Sequence, residues 1–221
     1  MRIEALTLYT RSAADQRRFF LDVFGFTPQN SSDTTLTLQV GDSLLQFEQQ
    51  DGWRGFYHYA FLIPQNQFEA ARAWLAGRVP LLRDAQGQEV FFFEGWNAHT
   101  VYFADADGNI GELIARHDHP VSGAGAFSVE SLVNVNEIGR VVEDVDAEVK
   151  RLQQEAGLLP FGSYRPGGDF AAVGDRDGLF IVVKEGRPWF PVRWPAARGM
   201  FSAVIETPRG RLRFSAEPSK P

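Results

Sequence analysis

Cysteine is absent from this chain of 221 residues, which removes disulfide bridges and thiolate metal sites from consideration. No apolar run approaches the roughly 20 residues that a membrane-spanning helix needs. The opening Met1-Arg2-Ile3-Glu4 lacks the apolar stretch of a secretory signal. Together these gaps give the expectation of a cytoplasmic protein with no membrane partner. An excess of positive charge is missing too. The formal net charge is -6 and the pI is near 5.3, with Lys and Arg scattered, so no nucleic-acid partner is expected.

Several chemistry-bearing motifs are also missing. Gly123-Ala124-Gly125 lacks the third glycine of a dinucleotide fingerprint, and no Walker pattern occurs. No Ser or Thr sits in a nucleophile-elbow context, and four His in total give a hydrolase triad little support. Asp105-Ala106-Asp107-Gly108-Asn109 is no calcium loop, because its glycine is misplaced and the distal Glu and flanking helices are absent.

What is present is a unit that recurs. Residues 3–9 alternate as a strand, and Ser12 can cap a helix that stops at Gly25. Strand-like runs follow near 26–30, 34–40 and 43–49, giving the order βαβββ. The pattern restarts at 57–63, with Asn66 and Glu69 as a capping box before a helix closed by Gly77. Strands near 81–83, 89–93, 99–104 and 109–115 complete that copy. A third copy begins at 137–142, continues into a helix capped by Asp144 and stopped at Gly157, and ends in a hairpin near 170–183. Two further strands are expected at 201–207 and 212–215. The turn-rich run 120–125 suggests a boundary between residues 1–119 and 127–221.

Strand alternation sorts side chains between two faces. Leu6, Leu8, Leu45, Phe47, Tyr59 and Phe61 suit packing under the helices. The other face carries Thr7 and Tyr9 around Ala5, then Gln46 and Glu48, then His58, then Glu112. Should units one and two curl around one cavity, Gln46, His58 and Glu112 meet there as donors. One imidazole, one carboxylate and one amide suit a divalent metal such as Fe, Mn, Ni or Zn. Phe91-Phe92-Phe93 and Trp96 can line an apolar pocket beside it, favouring an aromatic or otherwise apolar small molecule.

The paired βαβββ units and the ending Tyr102-Phe103-Ala104-Asp105-Ala106-Asp107-Gly108-Asn109-Ile110-Gly111-Glu112-Leu113-Ile114 resemble the vicinal oxygen chelate superfamily. That superfamily includes glyoxalase I, extradiol dioxygenases and bleomycin-resistance proteins. The resemblance covers residues 1–116 and, more weakly, 131–185. It implies an α+β fold of paired modules forming a curved mixed sheet around a cavity, with a third module and a terminal strand pair. Its metal-ligand positions fall on Ala5, Gln46, His58 and Glu112, of which Ala5 can donate nothing. The extradiol enzymes carry a substrate-contacting Tyr where this chain has Tyr102, and His99 is the other candidate proton donor on that strand. Parity lets only one of those two face the cavity.

The resemblance implies a metal-dependent lyase, isomerase or dioxygenase acting on a small-molecule substrate with adjacent oxygens. A metal-free small-molecule binding protein of the bleomycin-resistance type is the alternative. The third unit has Glu137 at its own first-ligand position, but its last strand, 179–183, is wholly apolar, so no second metal site is expected there and the unit should instead cap the pocket or form a homodimer surface.

Overall fold

The computed structural model describes residues 1–216. β1 (Arg2–Thr10) buries Ile3, Leu6 and Leu8 on one parity. Ser12 then caps α1 (Ala13–Arg17), its side chain accepting from the Asp15 amide at 3.1 Å. The helix expected to run on to Phe24 instead widens into π-helical turns over Arg18–Phe24 and stops at Gly25, where φ is 89°. Those wider turns set adjacent Phe19 and Phe20 against one core, with ring centroids 6.1 Å from Phe103 and 5.2 Å from Phe47 respectively. β2 (Pro28–Ser32), β3 (Thr35–Val40) and β4 (Ser43–Gln49) complete the first unit.

The second unit comprises β5 (His58–Leu62), α2 (Phe68–Ala76), β6 (Phe91–Phe93), β7 (Ala98–Ala104) and β8 (Ile110–Arg116). The strand expected near 81–83 is reduced to one bridge between Leu81 and Phe103. No capping box forms at α2. Asn66 bonds Gly123 in the linker instead, donating to its carbonyl at 3.0 Å and accepting from its amide at 2.9 Å.

The third unit holds β9 (Asn134–Val142), α3 (Val145–Ala156), β10 (Phe170–Asp175) and β11 (Gly178–Lys184). Asp144 caps α3 through the Ala147 amide, and Gly157 ends it at φ 69°. β12 (Phe201–Thr207) and β13 (Gly210–Ala216) form the expected hairpin.

Strand pairing differs from the expected pairing of units one and two. Among the described residues there are two sheets, ordered β13-β12-β1-β4-β3-β2 and β10-β11-β9-β5-β8-β7-β6. The first strand of each unit needs a partner on its free edge. β1 takes β12, with Leu6 opposite Ala203, and β5 takes β9, with Ala60 opposite Glu137. Unit one is thus completed by the hairpin, and unit two by unit three. Each sheet takes strands from both sides of the 120–125 linker.

The helix-side faces of both sheets merge into one core that includes Leu6, Phe47, Tyr59, Phe61, Leu113 and Ile138. Gly111 lies on this side, directly opposite Phe103 across the β7–β8 pair. A Cβ at Gly111 would sit 2.2 Å from the tip of the Phe103 ring, so only glycine admits the ring there. Gly111→Ala should cost about 1–3 kcal/mol through overpacking. For a chain of this size that lowers the thermal midpoint by about 2–4 °C per kcal/mol. An unchanged melting temperature would contradict the close packing.

Candidate metal centre and ligand cavity

The polar turn between β7 and β8 locks the geometry of the site. Asp105 Oδ1 accepts the amides of Asp107 at 2.9 Å and Asn109 at 3.0 Å, and its Oδ2 accepts Asn109 Nδ2 at 2.8 Å and the Tyr59 hydroxyl at 3.1 Å. Asn109 Oδ1 in turn accepts the Tyr57 amide at 2.9 Å. Gly108, with φ at 81°, supplies the left-handed residue that the turn requires. Burial raises the Asp105 carboxyl to about 6, against the Asn109 and Asp107 donors that hold it down. The turn is thereby tied to the start of β5, which sets β8 in register with it: His58 opposite Ile110 and Ala60 opposite Glu112.

From that register the site follows by alternation. Ala60 faces Glu112 on one side and Glu137 on the other, and its small side chain leaves the space between two carboxylates open. His58, two residues along the same strand face, approaches from the side, with Nε2 2.9 Å from Glu112 Oε2. One donor atom each from His58, Glu112 and Glu137 lies within 4.8 Å of the others, and all three side chains are buried. Tyr102 stands opposite Glu112 on β7.

Electrostatics follow from this burial. Desolvation raises Glu112 to about 8, partly offset by the Arg116 charge. Glu137 is raised to about 7 by desolvation and by Glu112, with Arg116 and His58 opposing. Desolvation lowers the His58 imidazole, with the Glu137 charge opposing, so burial disfavours its charged form. His58 Nε2 and Glu112 Oε2 are within hydrogen-bond distance, and Glu137 forms an ion pair with fully buried Arg116 at 2.5 Å. Arg116 is held by Asn136 Oδ1 at 3.1 Å and lies over the rings of Trp96 and Phe161. The Tyr102 hydroxyl is raised well above its usual value, first by burial and then by the Glu112 charge.

These residues fit a divalent ion. A neutral imidazole and two carboxylates form a mixed donor set of the kind that Fe, Mn, Ni and Zn accept. The second ring nitrogen of His58, Nδ1, is buried without a hydrogen-bond partner, leaving the imidazole free to present either nitrogen.

The group forms the floor of a cavity of about 480 Å³ whose walls are largely aromatic. Phe92, Phe93 and Trp96 line it as the sequence suggested. Trp189 stacks on His58 at 5.1 Å between ring centroids, from a strap spanning 186–196 that the sequence left without structure. Gly139 makes that approach possible, since a Cβ there would lie 2.9 Å from the Trp189 ring.

Of the candidate residues, His58, Glu112 and Tyr102 come together here. Gln46 does not join them. It lies on the expected parity of its strand, but that strand belongs to the other sheet, where its amide faces Glu48 at 3.3 Å. Ala5 is on that sheet too, between Leu44 and Val204. His99 has the opposite parity from Tyr102 and turns away from the cavity. It contacts the Phe68 ring at 5.0 Å and places Nδ1 2.7 Å from His117 Nε2. Glu137 supplies the third donor. Its place in the first strand of its unit was the available signal, obscured by the assumption that units one and two pair.

Neither a family model nor a curated protein matches the sequence. Solved structures do match in three dimensions. A candidate dioxygenase from Bacillus subtilis superposes with a TM-score of 0.60 at 16% identity, over 89% of this chain and 67% of that one. Glyoxalase I from Zea mays superposes with a TM-score of 0.55 at 14% identity, over 91% of this chain and 70% of that one. A single-substitution variant of the maize enzyme gives 0.56 at 12% identity, over 97% of this chain and 92% of that one. The chain has the vicinal oxygen chelate fold. Within that fold, the convergent His58, Glu112 and Glu137 come from two modules of one chain, so no second copy is needed to complete the cavity floor.

The raised carboxyls have a consequence for stability. An acid whose folded-state value exceeds its unfolded one stabilises fully below the unfolded value, and that contribution is lost as pH rises through the folded value. For Glu112 the window runs from about 4.5 to about 8. Metal-free wild type should therefore lose stability relative to Glu112→Gln as pH rises from 5 to 8, at a slope of up to about 1.4 kcal/mol per pH unit. Urea denaturation at several pH values measures this, and parallel profiles for the two proteins would refute it.

Proposed function

We propose that the chain is a metal-dependent enzyme of the glyoxalase or dioxygenase type, acting on a small molecule with adjacent oxygen atoms. The carrying observation is the buried convergence of His58, Glu112 and Glu137 at the floor of an aromatic cavity. Removing two carboxylates and an imidazole from water is costly unless their charge is matched. Arg116 matches Glu137 alone, leaving Glu112 raised to about 8. A divalent cation would answer the remaining charge, and when bound it supplies Lewis-acid polarisation of substrate oxygens.

The chain's own groups have definable tasks. His58, Glu112 and Glu137 hold the ion, each from a rigid central strand. Tyr102, kept protonated by burial and by the neighbouring Glu112, donates a hydrogen bond or a proton to a substrate oxygen above the floor. Trp189 and the facing aromatic walls exclude water and orient a flat ligand. The alternative is a metal-free binding protein, favoured by one observation: the Arg116 guanidinium already satisfies the Glu137 carboxylate from within the chain.

Elemental analysis after reconstitution with Mn, Fe(II), Ni or Zn separates the two. The enzyme reading expects a stoichiometric ion in wild type and in Gln46→Ala, and its loss in His58→Ala and Glu137→Gln. Loading should also stabilise the fold, by about 2.7 kcal/mol at a hundredfold excess over the dissociation constant. Substoichiometric metal with no thermal shift would leave the binding-protein reading in its place.

A further inference from the structure

The strap at 186–196 brings a charged side chain to the aromatic cavity. Among the described residues, Arg187 is the one Arg or Lys lining it. Its guanidinium lies over the Phe170 ring, 5.0 Å from the centroid, and Phe170 stacks in turn near Trp96 at 6.3 Å. The strap is held in place by backbone bonds, with the Ala196 amide donating to the Arg187 carbonyl at 2.8 Å and the Trp189 amide to that of Trp194 at 2.8 Å. Arg187 and Trp189 are thus positioned by one rigid turn.

The guanidinium is only partly committed. Nε faces Asp169 at 3.3 Å, but that carboxylate is 63% exposed, so the pair is weak. Nη1 donates to the Pro188 carbonyl at 3.2 Å. Among the described residues Nη2 has no assigned hydrogen-bond or ion-pair partner, and the fork can still offer a carboxylate two donors. The floor carries the carboxyl groups of Glu112 and Glu137, the second paired with Arg116, and among the described residues offers an anion no free cation. A negative group therefore finds its favourable end at Arg187.

We infer that Arg187 selects the ligand, and that the cavity takes a flat aromatic molecule bearing an acidic group. The ring packs among Phe93, Trp96, Phe170, Trp189 and Phe190, and the anion pairs with the Arg187 guanidinium. This inference rests on reading the cavity as the ligand site. It does not require the metal.

The test uses chelator-treated full-length protein and 2-naphthoate, 2-naphthamide and hexanoate as probes, with quenching of tryptophan fluorescence as the readout. Wild type should bind naphthoate about tenfold or more tightly than the uncharged amide, the ratio expected of one charge-assisted contact. Hexanoate, which has the charge and no ring, should bind more weakly than naphthoate. In Arg187→Gln the naphthoate affinity should fall to that of the amide, while the amide affinity stays as in wild type. Equal binding of acid and amide by wild type would overturn the inference, as would a preference that survives in Arg187→Gln, hexanoate binding as tightly as naphthoate, or no binding of any probe. Failure of metal loading with an intact Arg187-dependent preference would remove the enzyme reading alone. Stoichiometric metal without that preference would remove this inference alone.

Discussion

The bonds that tie the Asp105–Asn109 turn to the start of β5 are the constraint on which the site depends. Asp105 gathers four donors, and Asn109 passes the connection on to the Tyr57 backbone. A one-residue slip of β8 against β5 would move every side chain to the other face of the sheet. Glu112 would then enter the helix-side core and Gly111 the cavity, with the Phe103 ring left no room. The turn therefore does more than reverse the chain. It fixes which carboxylate meets His58, while the Phe103 ring, which admits only glycine opposite it, blocks the alternative register sterically.

Charge is managed around that register in layers. Two acids face each other across Ala60, and fully buried Arg116 answers one of them while lying over Trp96 and Phe161. The other lies within hydrogen-bond distance of His58. Buried ion pairs are weak sources of net stability, because desolvation offsets most of the attraction. Maintaining three titratable groups in one dry place is understandable where they have a ligand to hold. The aromatic walls keep the local dielectric low, which strengthens each of these interactions.

Much of the fold was legible in the sequence because alternation and caps are local signals. The hairpin turn, the Asp144 cap, the glycine stops at 25 and 157, and the burial of Leu6, Phe47 and Phe61 all follow from neighbours in the chain. His58, Glu112 and Tyr102 could be placed on the cavity side by parity alone. Which sheets join is a non-local matter, and there the reading of Gln46 failed: its face was right and its sheet was not. Glu137 rather than Gln46 stands beside His58 and Glu112, because β9 rather than β4 lies in the sheet of β5. The strap bearing Arg187 and Trp189 carries no periodicity, so nothing in its sequence disclosed that it closes the cavity.

The pairing of β1 with β12 has a consequence for biosynthesis. Leu6 lies against Ala203, so β1 is made well before its partner and waits for a strand encoded almost two hundred residues later. During translation its free edge is open to pairing with other chains, a hazard for any long-range sheet. Charged Arg2 and Glu4 at its outer end later pair with Glu206 and Arg211. Until then they act as gatekeepers that discourage the nascent strand from finding the wrong neighbour.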